Sequence, residues 1–315
     1  MTRTQYATTN GGFKTNLLPW RLYQKGKQLA WDPAEIDFTQ DAKDWQTRDE
    51  GARKLIARLA TTFMVGEEAV TLDIVPLLRA ISDEGRIEET LFLTTFLSDE
   101  AKHAEFFRTW FDAIGWDADL DSLLTPAQKF VFDEELPRAM GRLETDRSPE
   151  AFLDASITYN HFVEGVLALT GYWAWDRVFT MQEGFPGIRA GLEMVQRDER
   201  RHLAYGTYLC RRIVAAHPET WPFVEQRIAE LREMGLRFVD DLGAAIFEDF
   251  KRQAGPSGDT EEFNELAKAI MAEFTDYGQQ LLDRRLAAIA TARGTSEADV
   301  ETSDFSVELE EDALV

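Results

Sequence analysis

The chain has 315 residues, 44% of them hydrophobic, and a formal net charge of −23. This is enough apolar material for one large core, whereas the negative charge argues against binding nucleic acid or anionic membrane, because both reward positive charge. The single cysteine, Cys210, excludes a disulfide framework and a cysteine metal site. The N-terminus has no apolar signal region, and the apolar runs are too interrupted to span a membrane. A cytoplasmic protein is therefore expected.

In chain order, residues 1 to about 15 are polar and are expected to be loose. Stretches 17–23 and 30–38 contain aromatic residues and proline, and we expect them to form an irregular strap packed on the helices. Capping residues, prolines and glycines then delimit segments with helical periodicity. The predicted helices span about 48–80, 87–114, 125–143, 148–179, a segment ending near 216, 218–250 and 259–292. No β-alternation is sustained, so the predicted class is all-α. We predict a single domain, 1–315, with a mobile acidic tail over about 295–315.

Two helical segments carry the same motif, Glu-x-x-His. Glu100 and His103 form the first copy, and Glu199 and His202 form the second. Residues three apart lie on one face of an α-helix, so each pair can bind one metal ion. Dinuclear carboxylate bundles add one glutamate from each of two further helices. The repeated motif therefore predicts two more glutamate ligands.

Glu67 and Glu164 meet that requirement, because each lies on an apolar helix stripe at nearly the same distance upstream of its motif. Glu68 lies about 100° further around the helix, on a more mixed face, so Glu67 is the predicted ligand. A lone Glu-x-x-His is usually a solvated helix face. Six ionisable groups that interrupt four apolar stripes instead favour a buried dinuclear site, since an unpaired buried carboxylate is costly.

The ligand types indicate which metals such a site would take. Carboxylates combined with imidazoles suit iron and manganese, and four carboxylates neutralise two divalent ions. Asp99 and Asp198 each precede a motif glutamate and could bond to the far nitrogen of a ligand histidine, with a solvated acid as the equal alternative. His161 lies beside the stripe of Glu164 without fitting it. Replacing Glu199 with alanine is expected to empty the second site.

Several stretches resemble the ligand-binding oxidases related to the ribonucleotide reductase small subunit. These stretches are 66–71, 100–103, 158–165, 167–172 and 198–202, with 31–39 similar to that family's N-terminal segment. The resemblance extends from about residue 30 to 215. It implies a ferritin-like bundle, a homodimer and a mixed manganese/iron cofactor, although the ligand types alone also permit di-iron.

The resemblance also implies roles for individual residues. Glu67, Glu100 and His103 match the ligands of a first metal, expected to be manganese, and Glu164, Glu199 and His202 match those of a second, expected to be iron. A bound long-chain fatty acid is implied, with its carboxylate reaching the metals. A self-generated ether cross-link would join Val70 to Tyr159, and Tyr172 matches an aromatic residue near the pocket. Such a link removes two hydrogens, so it requires a two-electron oxidant derived from dioxygen.

Two other functions compete with this oxidase. A ribonucleotide reductase small subunit usually carries a radical tyrosine where this chain has Phe107, although a subclass lacks it, and most use aspartate where Glu67 stands. Its C-terminal tail carries a tyrosine, whereas the last tyrosine here is Tyr277. A non-enzymatic fatty-acid-binding metalloprotein is the second alternative. The missing tail tyrosine and the Val70–Tyr159 pair favour an oxidase acting with dioxygen on an apolar substrate.

Overall fold

The computed structural model of the chain describes residues 6–181, 183–254 and 260–303, and these residues form helices and loops without any strand. The α-helices are α1 (Leu18–Gln28), α2 (Thr39–Thr47), α3 (Glu50–Asp73), α4 (Val75–Asp83), α5 (Ile87–Ile114), α6 (Pro126–Lys129), α7 (Leu136–Gly141), α8 (Pro149–Ser156), α9 (Leu169–Met181), α10 (Pro186–Ala216), α11 (Trp221–Ala254), α12 (Glu261–Ala290) and α13 (Glu297–Thr302). Two π-helical segments, Phe130–Glu135 and Ile157–Ala168, connect α6 to α7 and α8 to α9. The predicted all-α class is confirmed.

Local signals in the sequence account for several helix ends. Thr125 forms a capping box with Gln128 at the start of α6. The Ser148 hydroxyl caps α8 by accepting a hydrogen bond from the Ala151 amide. Gly115 ends α5 in the left-handed conformation, with φ of 71°, which costs glycine little. The predicted bounds of α5 and the predicted end of α10 are therefore confirmed.

Two predictions for the N-terminal half were wrong. The expected helix over 48–80 is divided between α3 and α4, because Pro76 lies at the start of α4 and cannot continue the hydrogen-bond ladder of α3. The expected irregular strap is partly helical. Stretch 17–23 lies in α1, which packs against α5 and α10 and buries Leu18 and Leu22.

The C-terminal end also differs from expectation. Where the mobile tail was expected to begin, the short helix α13 packs against α10 and buries Val300. Arg86 forms ion pairs with Glu297 and Glu301 of this helix. The predicted loop and helix cap at 255–259, and the rest of the tail from residue 304, lie outside the described residues.

Four elements surround the centre of the molecule: α3, α5, the segment Ile157–Ala168 and α10. α3 packs against α5, and α10 packs against the π-helical segment and against α5. One apolar cluster contains Phe92, Phe96 and Tyr159, and a second contains Phe63 and Phe107. Among the described residues, no helix combines the length and the apolar character that crossing a membrane requires.

Candidate metal centre

The structure brings together all six residues that the sequence predicted as metal ligands. They are contributed by the four central elements, and each is at most 7% exposed: Glu67, Glu100, His103, Glu164, Glu199 and His202. They form two groups, in each of which one ligand atom per residue lies within 4.8 Å of the others. The first group is Glu67, Glu100, His103 and Glu199, and the second is Glu100, Glu164, Glu199 and His202.

Two glutamates belong to both groups, which the sequence did not indicate. The resemblance alone implies Glu100 for the first metal only and Glu199 for the second only. Their helices, α5 and α10, pack against each other, so both carboxylates lie between the two histidines. A Glu199→Ala replacement therefore removes a carboxylate from both groups, whereas Glu164 is the carboxylate found only in the second.

Each histidine directs one ring nitrogen at the carboxylates. Nδ1 of His103 lies 3.2 Å from Oε2 of Glu67 and 3.4 Å from Oε1 of Glu199. Nδ1 of His202 lies 2.9 Å from Oε1 of Glu100 and 3.5 Å from Oε1 of Glu164. Both Nδ1 atoms are thus oriented as metal ligands.

The other ring nitrogen of each histidine faces an aspartate on the opposite helix. Nε2 of His103 lies 3.3 Å from Oδ2 of Asp198, and Nε2 of His202 lies 3.5 Å from Oδ2 of Asp99. Although burial opposes ionisation, the hydrogen bond and charge of the facing histidine lower the pKa of each aspartate. An ionised acceptor at Nε2 keeps the proton there and leaves Nδ1 free for a metal. Of the two alternatives for these aspartates, the geometry favours the histidine partner.

Three residues that support the aspartates were not predicted as part of the site. Lys102 Nζ lies 2.7 Å from a carboxylate oxygen of both Asp99 and Asp198, and Arg201 Nη2 lies 2.7 and 2.9 Å from the same two carboxylates. Trp31, treated as part of the strap, donates its indole N–H to Asp198 at 2.8 Å. The sequence could have indicated Lys102 and Arg201, because each directly precedes a motif histidine. No sequence feature indicates Trp31, since only the fold brings it to the site.

The donor set fits a dinuclear metal site. Within the part of the chain that the structure describes, four atoms in the cluster have no well-aligned hydrogen bond: Glu100 Oε1, Glu164 Oε1, Glu199 Oε2 and His202 Nδ1. His202 Nδ1 and Glu100 Oε1 lie 2.9 Å apart but are not aligned as donor and acceptor. Burial, together with the charge of Glu199, raises the pKa of Glu164 to about 8. Four buried carboxylates therefore lack the positive charge they need. Two divalent ions would supply it, and oxygen and imidazole donors suit manganese and iron.

The π-helical segment determines which side chains of its helix face the cluster. In a π-helix the hydrogen bonds run from i to i+5, so Tyr159 and Glu164 lie one turn apart. In an α-helix, residues five apart would point about 140° away from each other. The Tyr159 ring is fully buried and stacks on Phe96 with ring centroids 5.6 Å apart. Asn160 donates a hydrogen bond to Glu164 at 3.0 Å and so orients that carboxylate.

The other predicted residues lie nearby. Val70, one turn beyond Glu67, is buried and lines a cavity next to the cluster. Tyr172 packs on Phe63 with centroids 4.9 Å apart. His161 is buried but belongs to neither ligand group.

An apolar cavity of about 480 Å³ connects this cluster to the surface. Its inner wall includes Glu67, Glu100, Glu164 and Glu199, and its lining reaches the exposed side chains of Leu266 and Ile270 on α12. Most of the lining is apolar, with phenylalanines from α3, α11 and α12. Among the described residues, the only other charged side chains in the lining are those of Arg177 and Glu273, which form an ion pair at 3.0 Å. The cavity can hold a long apolar molecule.

Comparisons with known proteins agree with this geometry. Residues 18–254 match the family model described as the ribonucleotide reductase small chain. Among similar solved structures is an R2-like ligand-binding oxidase with aerobically reconstituted Mn/Fe cofactor, with 33% identity, a TM-score of 0.81, and coverage of 91% of this chain and 98% of that chain. A mutant of such an oxidase, also with aerobically reconstituted Mn/Fe cofactor, has 32% identity and a TM-score of 0.82, covering 91% of this chain and 99% of that chain.

A further mutant, with anaerobically reconstituted Mn/Fe cofactor, has 32% identity and a TM-score of 0.82, covering 91% of this chain and 98% of that chain. The family match, these structural similarities and the buried glutamate–histidine cluster agree with one another. The chain belongs to the ribonucleotide reductase small-chain family, in the branch of the R2-like ligand-binding oxidases.

Proposed function

We propose that this protein is a dioxygen-activating Mn/Fe oxidase that binds a long-chain fatty acid and joins Val70 to Tyr159 through an ether bond. The observation that carries the proposal is the apolar cavity that ends at four buried carboxylates. The similar structures support it, because they are ligand-binding oxidases with Mn/Fe cofactors.

The cluster divides its ligands between two metals. Glu67 and His103 would hold only the first, which we assign to manganese, and Glu164 and His202 only the second, which we assign to iron. Glu100 and Glu199 would serve both, in agreement with their place in both groups. When bound, such a metal pair supplies the reduction of dioxygen and two oxidising equivalents. The same donors also permit di-iron.

The proposed fatty acid would place its carboxylate at the cluster and its hydrocarbon chain along the apolar lining. Each buried CH₂ group contributes about 0.8 kcal/mol to binding, so a long chain is favoured over a short one. Arg177 and Glu273 at the outer part of the lining offer the far end of the ligand a polar boundary.

The proposed cross-link requires an available phenol and a nearby C–H bond. Oη of Tyr159 is buried and has no hydrogen-bond partner among the described residues. Burial and the surrounding glutamates raise the pKa of Tyr159, so the phenol keeps its proton until it is oxidised. Ether formation removes two protons, one from the phenol and one from Val70, together with two electrons, which pass to dioxygen. Tyr172 would pack beside the reacting pair through Phe63.

Controlled assembly tests the proposal. Metal-free protein is loaded with Mn(II) and Fe(II) without dioxygen, air is admitted, and peptides are analysed by mass. We expect one species that joins the Val70 and Tyr159 peptides and is lighter than their sum by two hydrogens, only with metals and air. Tyr159→Phe is the matched control, because it keeps the ring but cannot form the ether.

Metal analysis of two variants separates the sites. Glu164→Ala should lose the second metal and retain the first, whereas Glu199→Ala should lower the content of both.

Native mass spectrometry would detect a fatty acid that remains bound to the protein, and it would show whether the protein is the expected homodimer. If both metals bind but the peptides remain separate, the cross-link is wrong, and a reductase subunit or a lipid-carrying metalloprotein becomes the better account.

A further inference from the structure

A run of buried aromatic rings leads from His202 to Tyr205, and the ring of Tyr208 lies 6.3 Å beyond it. The ring of Phe96 stacks on His202 with centroids 3.6 Å apart. Phe92, one turn earlier on α5, lies 5.7 Å from Phe96, and Tyr205 lies 5.0 Å from Phe92. All four residues of this run are fully buried. Tyr205 also follows His202 by three residues on α10, a rise of about 4.5 Å along the helix.

Tyr205 differs from the other tyrosines beside the cluster in having a proton acceptor. Its Oη donates to Oε2 of Glu89 at 3.0 Å. Among the described residues, Oη of Tyr159 and Oη of Tyr172 have no hydrogen-bond partner. This contrast matters because a phenol that loses an electron becomes a strong acid. A tyrosine is therefore oxidised much more easily when a base can take its proton.

Glu89 is placed to act as that base. Its carboxylate is 1% exposed. Its other oxygen, Oε1, lies 3.4 Å from Arg86 Nη1 and 3.7 Å from Arg212 Nε. Burial raises the pKa of Glu89, whereas the two guanidinium groups favour its ionised form, in which Oε2 can accept the proton of Tyr205. Neither Glu89 nor Tyr205 belongs to the ligand groups or lines the cavity.

We propose that Tyr205 is an internal electron donor to the oxidised metal pair. The inference rests on the proposed function, because the pair oxidised by dioxygen is the oxidant. Tyr205 loses one electron, which passes through Phe92 and Phe96 towards His202 and lowers the oxidation state of the pair by one. The phenolic proton moves to Glu89, leaving a neutral tyrosyl radical. A small one-electron reductant from solution and the proton on Glu89 restore the phenol.

This donor would discharge oxidising equivalents that find no substrate in the cavity. Without it, oxidising equivalents left after the Val70–Tyr159 bond has formed would attack other buried C–H bonds of the protein. The radical would form behind Phe96, at a tyrosine that does not line the cavity. Tyr205 would thus protect the site without competing for the ligand.

Freeze-quench electron paramagnetic resonance tests the proposal. Protein loaded with Mn(II) and Fe(II), and free of fatty acid, is mixed with dioxygenated buffer and frozen at successive times. We expect the Mn(II) signal to disappear and an organic radical signal to form. The radical signal should narrow when the protein contains ring-deuterated tyrosine. It should be lost in Tyr205→Phe and retained in Tyr208→Phe, the matched control one turn further along α10.

Glu89→Gln gives a second variant that leaves the tyrosine in place. Glutamine keeps an acceptor oxygen but is a far weaker base, so the radical signal should fall several-fold and the oxidised metal pair should persist longer. Circular dichroism and metal content would show that each variant is folded and loaded. If Tyr205→Phe does not fold, Glu89→Gln decides the question.

The outcomes are distinguishable. Loss of the Mn(II) signal without any tyrosine radical overturns this inference alone and leaves the proposed function intact. A radical of unchanged intensity in Tyr205→Phe also overturns it. A Mn(II) signal that persists in air would show that dioxygen does not oxidise the metal pair. The proposed function and this inference would then both be wrong.

Discussion

Each motif histidine has its two ring nitrogens in opposite environments. Nδ1 faces the carboxylate cluster, and Nε2 faces Asp198 in the case of His103 or Asp99 in the case of His202. The tautomer and the ring orientation are therefore fixed from outside the ligand set. The aspartates should control metal affinity although they touch no metal.

Asp198→Asn tests this control. Asparagine keeps the shape but loses the charge that holds the proton on Nε2 of His103, so we expect metal affinity to fall about 10–100-fold. The measurement is competition for Mn(II) and Fe(II) against a chelator of known affinity. Asp112→Asn, on the exposed surface of α5, is the control and should leave affinity unchanged. Equal affinities for the two variants would contradict the role of Asp198.

His161 should make the fold sensitive to acid. Burial and the charge of Arg285 lower its pKa to about 3, whereas the unfolded value is about 6.5. Between these values the unfolded chain binds the extra proton. Stability therefore falls as the pH drops below about 6.5, by about 1.4 kcal/mol per pH unit from this group.

His161→Phe removes that proton linkage. The free energy of unfolding of the variant should fall less between about pH 8 and about pH 5 than that of the parent protein. Urea unfolding of the two metal-free proteins measures it, and the other titrating groups cancel in the comparison. Parallel pH dependences would show that His161 is not the source.

At the scale of single residues, the sequence predicts the six candidate metal ligands. It does not predict that two of them belong to both ligand groups. Helix geometry fixes the spacing of Glu-x-x-His, so Glu100, His103, Glu199 and His202 could be predicted from local sequence. That Glu100 and Glu199 serve both groups depends on how α5 packs on α10. The contact of Trp31 with Asp198 likewise depends on folding, because the two are distant in sequence.

At the level of elements, the helix from Pro149 to Met181 shows what periodicity can miss. Its central third is π-helical, and this brings both Tyr159 and Glu164 to the cluster. We predicted Glu164 from an α-helical stripe, which was adequate for one residue. The stripe did not indicate that Tyr159 shares its face, because a π-helical segment has no recognisable sequence signature and is frequent at functional sites.

The packing of α10 against α5 depends on a residue without a side chain. A Cβ atom at Gly191 would lie 2.0 Å from the ring of Phe106, so Gly191→Ala should force the helices apart and destabilise the fold by about 1–3 kcal/mol. Gly141→Ala is the matched control. No atom lies within 4 Å of its added Cβ, and alanine is the better helix former.

Chemical denaturation of both variants measures the difference. Gly141→Ala should be neutral or slightly stabilised. A Gly191→Ala protein as stable as its parent would show that α5 and α10 adjust to the extra methyl group at no cost.

At the level of the whole molecule, acidic residues outnumber basic ones by 57 to 34. Many basic side chains are already paired, as Arg227 is with Glu135 and Asp154. The remaining negative charge opposes compaction, and salt screens it over about 10 Å at 0.1 M. Added salt should therefore stabilise this fold more than it weakens its surface ion pairs.

Thermal unfolding of the metal-free protein checks that balance. The midpoint should rise from low to near-physiological ionic strength, and by the same amount in sodium and potassium chloride, since screening does not depend on the cation. A midpoint that falls would mean that the ion pairs outweigh the net repulsion.

The crossed histidine–aspartate contacts have a consequence for the newly made chain. Neither histidine is oriented by its own helix, because Asp198 lies on the helix of His202 and Asp99 on that of His103. A chain in which only one of these helices has formed offers a glutamate and a freely rotating imidazole, and so captures metal weakly. Tight capture starts when both helices have docked. Metal capture is thereby confined to finished molecules, so an incomplete or damaged copy holds metal only weakly.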